Sequence, residues 1–130
     1  IDRSLVGSEM CIRDRDEDHC ISMLLELSGR FHKVYSCVVI GELVNNNSEE
    51  VNLNYEIVES EVLFRQLNAK ECQKYWNTGE PSDKAGGYAI QGYGATFIEK
   101  IIGSYSNIVG LPIFETCRIL ESKKISFWLK

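Results

Sequence analysis

The chain has 130 residues, of which 44% are hydrophobic and 25% charged. This is the composition of a folded globular domain with a modest core, and it excludes an intrinsically disordered chain. The net charge of -5, from 14 basic and 19 acidic residues, argues against a nucleic-acid binder, because such proteins concentrate Lys and Arg on one surface.

No apolar run approaches the roughly 20 residues needed to span a bilayer, and the first residues lack the apolar centre of a secretory signal. The five cysteines are scattered and include no C-x-x-C pair. This pattern favours free thiols over a disulfide framework or a zinc site. We therefore expect a cytoplasmic protein.

Residues 5–15, LVGSEMCIRDR, follow neither a helical nor a strand period. Written back into codons, they resemble one reading frame of a transposase sequencing adapter. Residues 1–15 are accordingly interpreted as a foreign tail, with the domain beginning at residue 16. A natural flexible N-terminus is the alternative.

Regular patterns begin after this segment. Apolar spacing predicts a helix over 18–28, ending near Gly29. Residues 31–40 and 51–64 are rich in β-branched and aromatic side chains and predict a hairpin with a long polar tip. Asn68, with Glu71 three positions later, predicts a capped helix that ends near Trp76.

The next segment is unusually rich in glycine, with five glycines between Gly79 and Gly94 and Gly103 close behind. This density indicates special backbone torsions or the close approach of a ligand. Beyond it, we predict a short helix over 95–102, a turn at 103–104 and a last helix over 112–120. Residues 123–130 are assigned to a C-terminal tail.

Three sequence blocks resemble one known family. GEPSDKAGGYAIQG at 79–92 is similar to the "GEP-x-DKAG-x-Y-x-IQG" signature of the Maf family, also called septum-formation inhibitor proteins. LSGRFHKV at 27–34 and GSYSNIVGLP at 103–112 resemble two further blocks of that family. Their order and spacing agree, which makes the resemblance far more specific than a single glycine motif.

The resemblance implies an α/β fold with a mixed sheet, organised as the two lobes of Maf and ITPase-like proteins around a cleft. It also implies hydrolysis of a nucleoside triphosphate to the monophosphate and diphosphate, with a divalent cation (Mg²⁺ or Mn²⁺). Members are cytoplasmic and often form homodimers, and no nucleic acid or membrane is implied as a partner.

The family also has N-terminal motifs that are not found in this sequence. These are an S-x-S-P-R-R turn that holds phosphates and an Asp-Thr pair whose Asp is the general base. Residues 16–122 are therefore interpreted as the C-terminal portion of a Maf-like domain whose N-terminal part is missing. No catalytic residue is assigned within this chain, and the chain alone is expected to be inactive.

Four residues of the signature are candidates for substrate or metal binding. Gln91 resembles the family's base-specificity residue, where Gln accompanies uridine and thymidine triphosphates; a structural hydrogen bond is the alternative. Lys84 could meet a phosphate oxygen or pair with a neighbouring carboxylate. Glu80 and Asp83 could hold a metal through water, or serve only as turn and capping groups.

Three further side chains have more ordinary interpretations. His32 has no second histidine at ligand spacing and is interpreted as a structural histidine. Tyr88 and Tyr93 could stack on a base, but beside glycines they more often cover the backbone of a tight loop. Arg30 and Lys33 are expected to be exposed charges at a strand end.

Two hypotheses of function follow from the resemblance. The first is a pyrophosphatase that removes non-canonical or pyrimidine nucleoside triphosphates, with dTTP and UTP favoured. The second is a non-catalytic interaction protein connected with inhibition of septum formation. The natural substrate, the metal and the oligomeric state are left open by the sequence.

Overall fold

The computed structural model describes residues 16–45, 47, 49–83 and 87–128. They form four α-helices and a three-stranded antiparallel sheet with the strand order β1-β2-β3. The helices and strands, in chain order, are α1 (Glu17–Leu27), β1 (Phe31–Leu43), β2 (Val51–Phe64), α2 (Ala69–Trp76), β3 (Ile98–Ile102), α3 (Tyr105–Val109) and α4 (Ile113–Ser122). Two 3₁₀ helices, Glu80–Asp83 and Tyr93–Phe97, lie between α2 and β3.

Most of the predicted helices and strands are confirmed. The hairpin of β1 and β2 pairs continuously from Phe31 opposite Leu63 to Leu43 opposite Val51. Helix α2 has the predicted capping box: the Asn68 side chain accepts from the Glu71 amide at 2.8 Å, and Glu71 accepts from the Asn68 amide. Four cysteines (Cys20, Cys37, Cys72 and Cys117) are free thiols, and Cys11 lies outside the described residues.

Two predictions about the sheet are wrong. The short helix over 95–102 is a 3₁₀ helix followed by strand β3, which pairs with β2 through Ile98 opposite Phe64 and Ile101 opposite Val62. Backbone pairing with an exposed strand edge and β-branched side chains outweighed the local helical spacing. The described strands are all antiparallel, so this part of the chain does not form a mixed sheet.

One main core lies between helices α1 and α2 and one face of the sheet. Leu24, Val62, Phe64, Cys72 and Tyr75 are at most 4% exposed in this cluster. Phe64 is central, because its ring contacts those of both Tyr88 and Phe97. The core therefore joins α1, the sheet and the glycine-rich segment into one packed unit.

Helix α3 is attached to the sheet through a buried polar contact. The Asn107 side chain is fully buried and donates to the Ser60 hydroxyl at 2.9 Å, while that hydroxyl also receives the Ser104 amide at 3.1 Å. Gly103, at φ 110°, is required beside them because a Cβ there would lie 2.9 Å from the Ser60 hydroxyl. The GSYSNIVGLP block thus has a structural role in fixing the chain after β3.

The opposite face of the hairpin is apolar and exposed. We call it the open sheet face; its members include Tyr35, Val39, Leu43, Val51, Leu53, Tyr55 and Ile57. Leu53, Tyr55 and Ile57 are each more than 60% exposed. An apolar patch of this kind marks a surface that is normally covered.

We expect the chain by itself to form oligomers or aggregates through the open sheet face. Leu53→Lys and Ile57→Lys should reduce this association, because a charged side chain opposes burial of the patch. Phe114→Lys is the matched control, since Phe114 is 66% exposed on α4, outside that face. Size-exclusion chromatography with light scattering makes the measurement. A monodisperse monomer with one sharp thermal transition would contradict the prediction.

No helix within the described parts of the chain has the length and apolar content needed to cross a membrane.

Candidate functional site

The candidate site is the glycine-rich segment that connects helix α2 to strand β3. It begins with the first 3₁₀ helix and ends with the second, Tyr93–Phe97. We call residues 89–94 the recognition loop, since Gln91 lies within it. Ile90 and Gln91 form a turn, and the Gly92 amide closes it by donating to the Ala89 carbonyl at 3.5 Å.

Glu80 binds the far end of the recognition loop. Its Oε1 atom accepts the Tyr93 amide at 2.8 Å, and its Oε2 atom accepts the Gly94 amide at 3.0 Å. These are the first amides of a 3₁₀ helix, which have no partners within the helix itself. A half-buried carboxylate at that position satisfies them and complements the positive end of the helix.

Tyr75 binds both Glu80 and the near end of the loop. Its hydroxyl donates to Glu80 Oε2 and accepts the Ala89 amide at 3.0 Å. Burial, and then the hydrogen bond to Glu80, raise the pKa of Tyr75. The phenol therefore remains protonated at neutral pH and can donate to the carboxylate.

Two glycines allow this close approach. A Cβ at position 92 would lie 2.0 Å from Glu80 Oε1, and a Cβ at position 94 would lie 2.4 Å from the Ala89 carbonyl oxygen. Neither distance is compatible with a side chain. Gly92 of the signature, and Gly94 just after it, are thus explained by contact between the recognition loop and its own supporting residues.

Gln91 itself is exposed at the turn between Ile90 and Gly92. Within the described part of the chain its side-chain amide makes no hydrogen bond. Its donor and acceptor atoms are therefore available to a ligand, while the backbone on both sides of it is fixed.

The other predicted site residues are less defined. Asp83 closes the first 3₁₀ helix, but its side chain lies outside the described part of the structure, and so does the whole of Lys84. Arg30 and Lys33 are exposed as expected, and Lys33 pairs with Glu59 at 3.3 Å on the surface. Such an exposed pair contributes little to stability.

Tyr88 of the signature and Tyr93 just after it have different environments. Tyr88 packs against the core, where its ring contacts Phe64 at 4.9 Å between centroids. Tyr93 is 66% exposed and lines a shallow pocket of about 250 Å³ with Tyr75, Phe97 and Arg65. Of the two, only Tyr93 presents its ring to a ligand.

His32 joins β1 to the glycine-rich segment. Its Nε2 atom lies 2.7 Å from the Tyr88 hydroxyl, and its ring meets Phe64 edge to face. Burial lowers the pKa of His32 to about 4. The imidazole is therefore neutral at physiological pH, as expected of a structural histidine.

This neutral histidine predicts a pH-dependent stability. The pKa of His32 is about 6.5, the ordinary value, in the unfolded state and about 4 in the folded state. Between pH 6.5 and pH 4 the unfolded chain therefore binds more protons than the folded chain. Stability should then fall as pH falls, by about 2 kcal/mol between pH 7 and pH 5. Urea unfolding at fixed protein concentration measures it. His32→Gln should remove most of that loss and His19→Gln should retain it; equal losses in both variants would contradict the assignment.

The described residues do not form a divalent-cation site by themselves. Among them, no three His, Cys, Asp or Glu side chains come close enough to hold a metal ion. Both oxygens of Glu80 already accept hydrogen bonds from the protein. The geometry of Glu80 fits loop support better than direct metal ligation.

Sequence reasoning missed Tyr75 as part of this site. It lies in the last turn of α2, five positions before Glu80, within the helix predicted to end near Trp76. The signal that could have found it is a buried tyrosine in the turn that precedes a glycine-rich loop, because a buried phenol needs a partner.

Comparisons with known proteins agree with the three sequence blocks. The family described as "Maf-like protein" matches residues 9–123. The chain therefore belongs to the Maf family. The match begins at residue 9, inside the segment interpreted as a foreign tail, so the domain boundary at residue 16 stays a prediction.

Curated relatives carry a more particular name. The chain is 40% identical to a dTTP/UTP pyrophosphatase of Saccharophagus degradans over 124 residues, which are 95% of this chain and 56% of that protein. It is 47% identical to a dTTP/UTP pyrophosphatase of Clostridium tetani over 120 residues, 92% of this chain and 60% of that protein. An Anaeromyxobacter dehalogenans protein of the same name is 42% identical over 118 residues. The chain thus spans less than two thirds of the length of the relatives it matches.

Proposed function

We propose that this chain is part of a nucleoside triphosphate pyrophosphatase that converts UTP and dTTP to their monophosphates and diphosphate. The observation that carries the proposal is Gln91, an unbonded and exposed amide on a loop whose flanks are fixed. The names of relatives that are 40–47% identical support the same substrates.

The chemistry of the bases agrees with this choice. The edge of uracil or thymine has an N–H donor between two carbonyl acceptors. A glutamine amide has both a carbonyl acceptor and N–H donors, so it can satisfy such an edge from both sides. The exposed Tyr93 ring, within the recognition loop, gives a planar base an apolar surface to contact.

The reaction needs groups that the described residues do not supply. Cleavage between the α and β phosphates requires an activated water and positive charge near the phosphate oxygens. We propose that a second lobe of a two-lobed domain supplies these groups and that Lys84 meets a phosphate. A divalent cation, Mg²⁺ or Mn²⁺, would neutralise the triphosphate. We propose that the reaction takes place in the cytoplasm, as the resemblance to the Maf family implies.

A chimera tests the proposal. The matched segment of the Clostridium tetani relative is replaced by the matched residues of this chain, and hydrolysis of UTP, dTTP and GTP is followed with Mg²⁺ or Mn²⁺. The expected products are the nucleoside monophosphate and diphosphate, with UTP and dTTP preferred. Release of orthophosphate, or no preference for the pyrimidine substrates, would overturn the assignment.

A further inference from the structure

We propose that Tyr75 and Glu80 are positioning residues that fix the recognition loop, and through it the base-reading amide of Gln91. This inference rests on the proposed function of Gln91. It assigns to Glu80 a role in substrate selectivity that is neither metal binding nor contact with the nucleotide.

Hydrogen bonds to the loop backbone surround Gln91. Backbone amides on both sides of it are bound by the same pair of side chains: Ala89 by Tyr75, and Tyr93 and Gly94 by Glu80. Tyr75 and Glu80 are in turn hydrogen-bonded to each other. The loop is therefore closed across its base by one continuous network, with Gln91 at its free tip.

The network of Tyr75 and Glu80 is itself held in place by packing and further hydrogen bonds. Tyr75 is 4% exposed, and its ring meets Phe97 edge to face at 5.0 Å between centroids. The Glu80 amide donates to the Thr78 hydroxyl at 3.2 Å, which donates to the Tyr75 carbonyl at 2.7 Å. Support that is packed in this way can hold a loop to a fraction of an ångström, which selective recognition requires.

The recognition loop also fits closely against Glu80. The absence of a side chain at Gly92 and Gly94 lets the loop backbone lie directly on the carboxylate and on Tyr75. If Glu80 and Tyr75 support the loop, the loop backbone must lie this close to them. A loop without such contacts would accept side chains at positions 92 and 94. The two halves of the signature, GEP and IQG, are thus two sides of one contact.

Weakening this network should change selectivity more than folding. With the loop less restrained, the Gln91 amide would meet the base in several orientations, and the advantage of a matched uracil edge would diminish. Glu80→Gln removes an acceptor, because one amide nitrogen must then face a backbone N–H. Tyr75→Phe removes the hydroxyl that both accepts from Ala89 and donates to Glu80.

The experiment has two measurements on the chimera carrying each variant. Amide hydrogen exchange at Ala89, Tyr93 and Gly94 should become at least about tenfold faster, because a lost hydrogen bond exposes these amides to opening. The ratio of kcat/KM for UTP to that for GTP should fall by about tenfold, the scale of one lost polar contact. Tyr88→Phe is the matched control, since its hydroxyl lies on His32 and not on the loop backbone.

The outcomes distinguish a role of Tyr75 and Glu80 in substrate selectivity from a role in fold stability alone. Unchanged exchange at all three amides would show that the network does not restrain the loop. Faster exchange with an unchanged ratio of kcat/KM for UTP to GTP would show that Tyr75 and Glu80 only stabilise the fold. An equal drop in that ratio in the Tyr88→Phe variant would show the same. If the unmodified chimera has no pyrimidine preference, the proposed function fails, and the exchange measurement still decides whether the network restrains the loop. A Glu80→Gln chimera that does not fold leaves Tyr75→Phe to make both measurements.

Discussion

The chain by itself is expected to release no diphosphate from UTP or dTTP above a no-protein control, with either Mg²⁺ or Mn²⁺. A positioned general base contributes about 10²–10⁴-fold to such a reaction, and preorganised charge contributes a comparable factor. The resemblance to the Maf family assigns these two roles to N-terminal motifs. Those motifs have no counterpart in this sequence. His32 and Glu80, which lie against or within the glycine-rich segment, are otherwise engaged: His32 is buried against Tyr88, and Glu80 binds the recognition loop.

The chimera with the Clostridium tetani relative is the positive partner of this experiment. It should restore hydrolysis by about 10⁴-fold or more, because it joins the recognition loop to the rest of a Maf domain. The unmodified relative is the control for the assay. Turnover by the chain alone would contradict the prediction, and it would mean that residues of this chain activate water without a second lobe.

The helices and strands could be predicted because their signals are local. Asn68 and Glu71 form a capping box whatever surrounds them, and alternating apolar residues select one face of a strand. Strand β3 was mispredicted because Ile98, Ile101 and Ile102 also have helical spacing. Only the exposed edge of β2 decides between a helix and a strand for this segment, and that edge exists only in the folded protein.

The candidate site was predictable in its location and not in its internal contacts. The glycine density and the family blocks indicated residues 79–94. Glu80 accepts hydrogen bonds from the amides of Tyr93, which lies 13 positions later in the chain, and of Gly94. No rule of local spacing predicts a contact at that separation. The close approach of Gly92 to Glu80 explains why that position is a glycine.

Gln91→Glu in the chimera is expected to weaken hydrolysis of UTP and dTTP by about 10- to 100-fold relative to GTP. The reason is the match of donors and acceptors: a carboxylate can only accept, so it would face a carbonyl oxygen of uracil or thymine. An unpaired or repulsive contact of this kind in a desolvated cleft costs about 1–3 kcal/mol. Guanine presents two adjacent N–H donors on the corresponding edge, so GTP should be affected less or should even improve.

Folding should be unchanged by Gln91→Glu, because Gln91 is exposed and makes no hydrogen bond to another described residue. The measurement is kcat/KM for UTP, dTTP and GTP on both proteins, with the melting temperature as the folding control. Glu80→Gln provides the contrast, since it alters the support of the loop while leaving the Gln91 amide in place. Equal losses on all three substrates would mean that Gln91 shapes the loop and does not read the base, because a lost base contact must distinguish a uracil edge from a guanine edge.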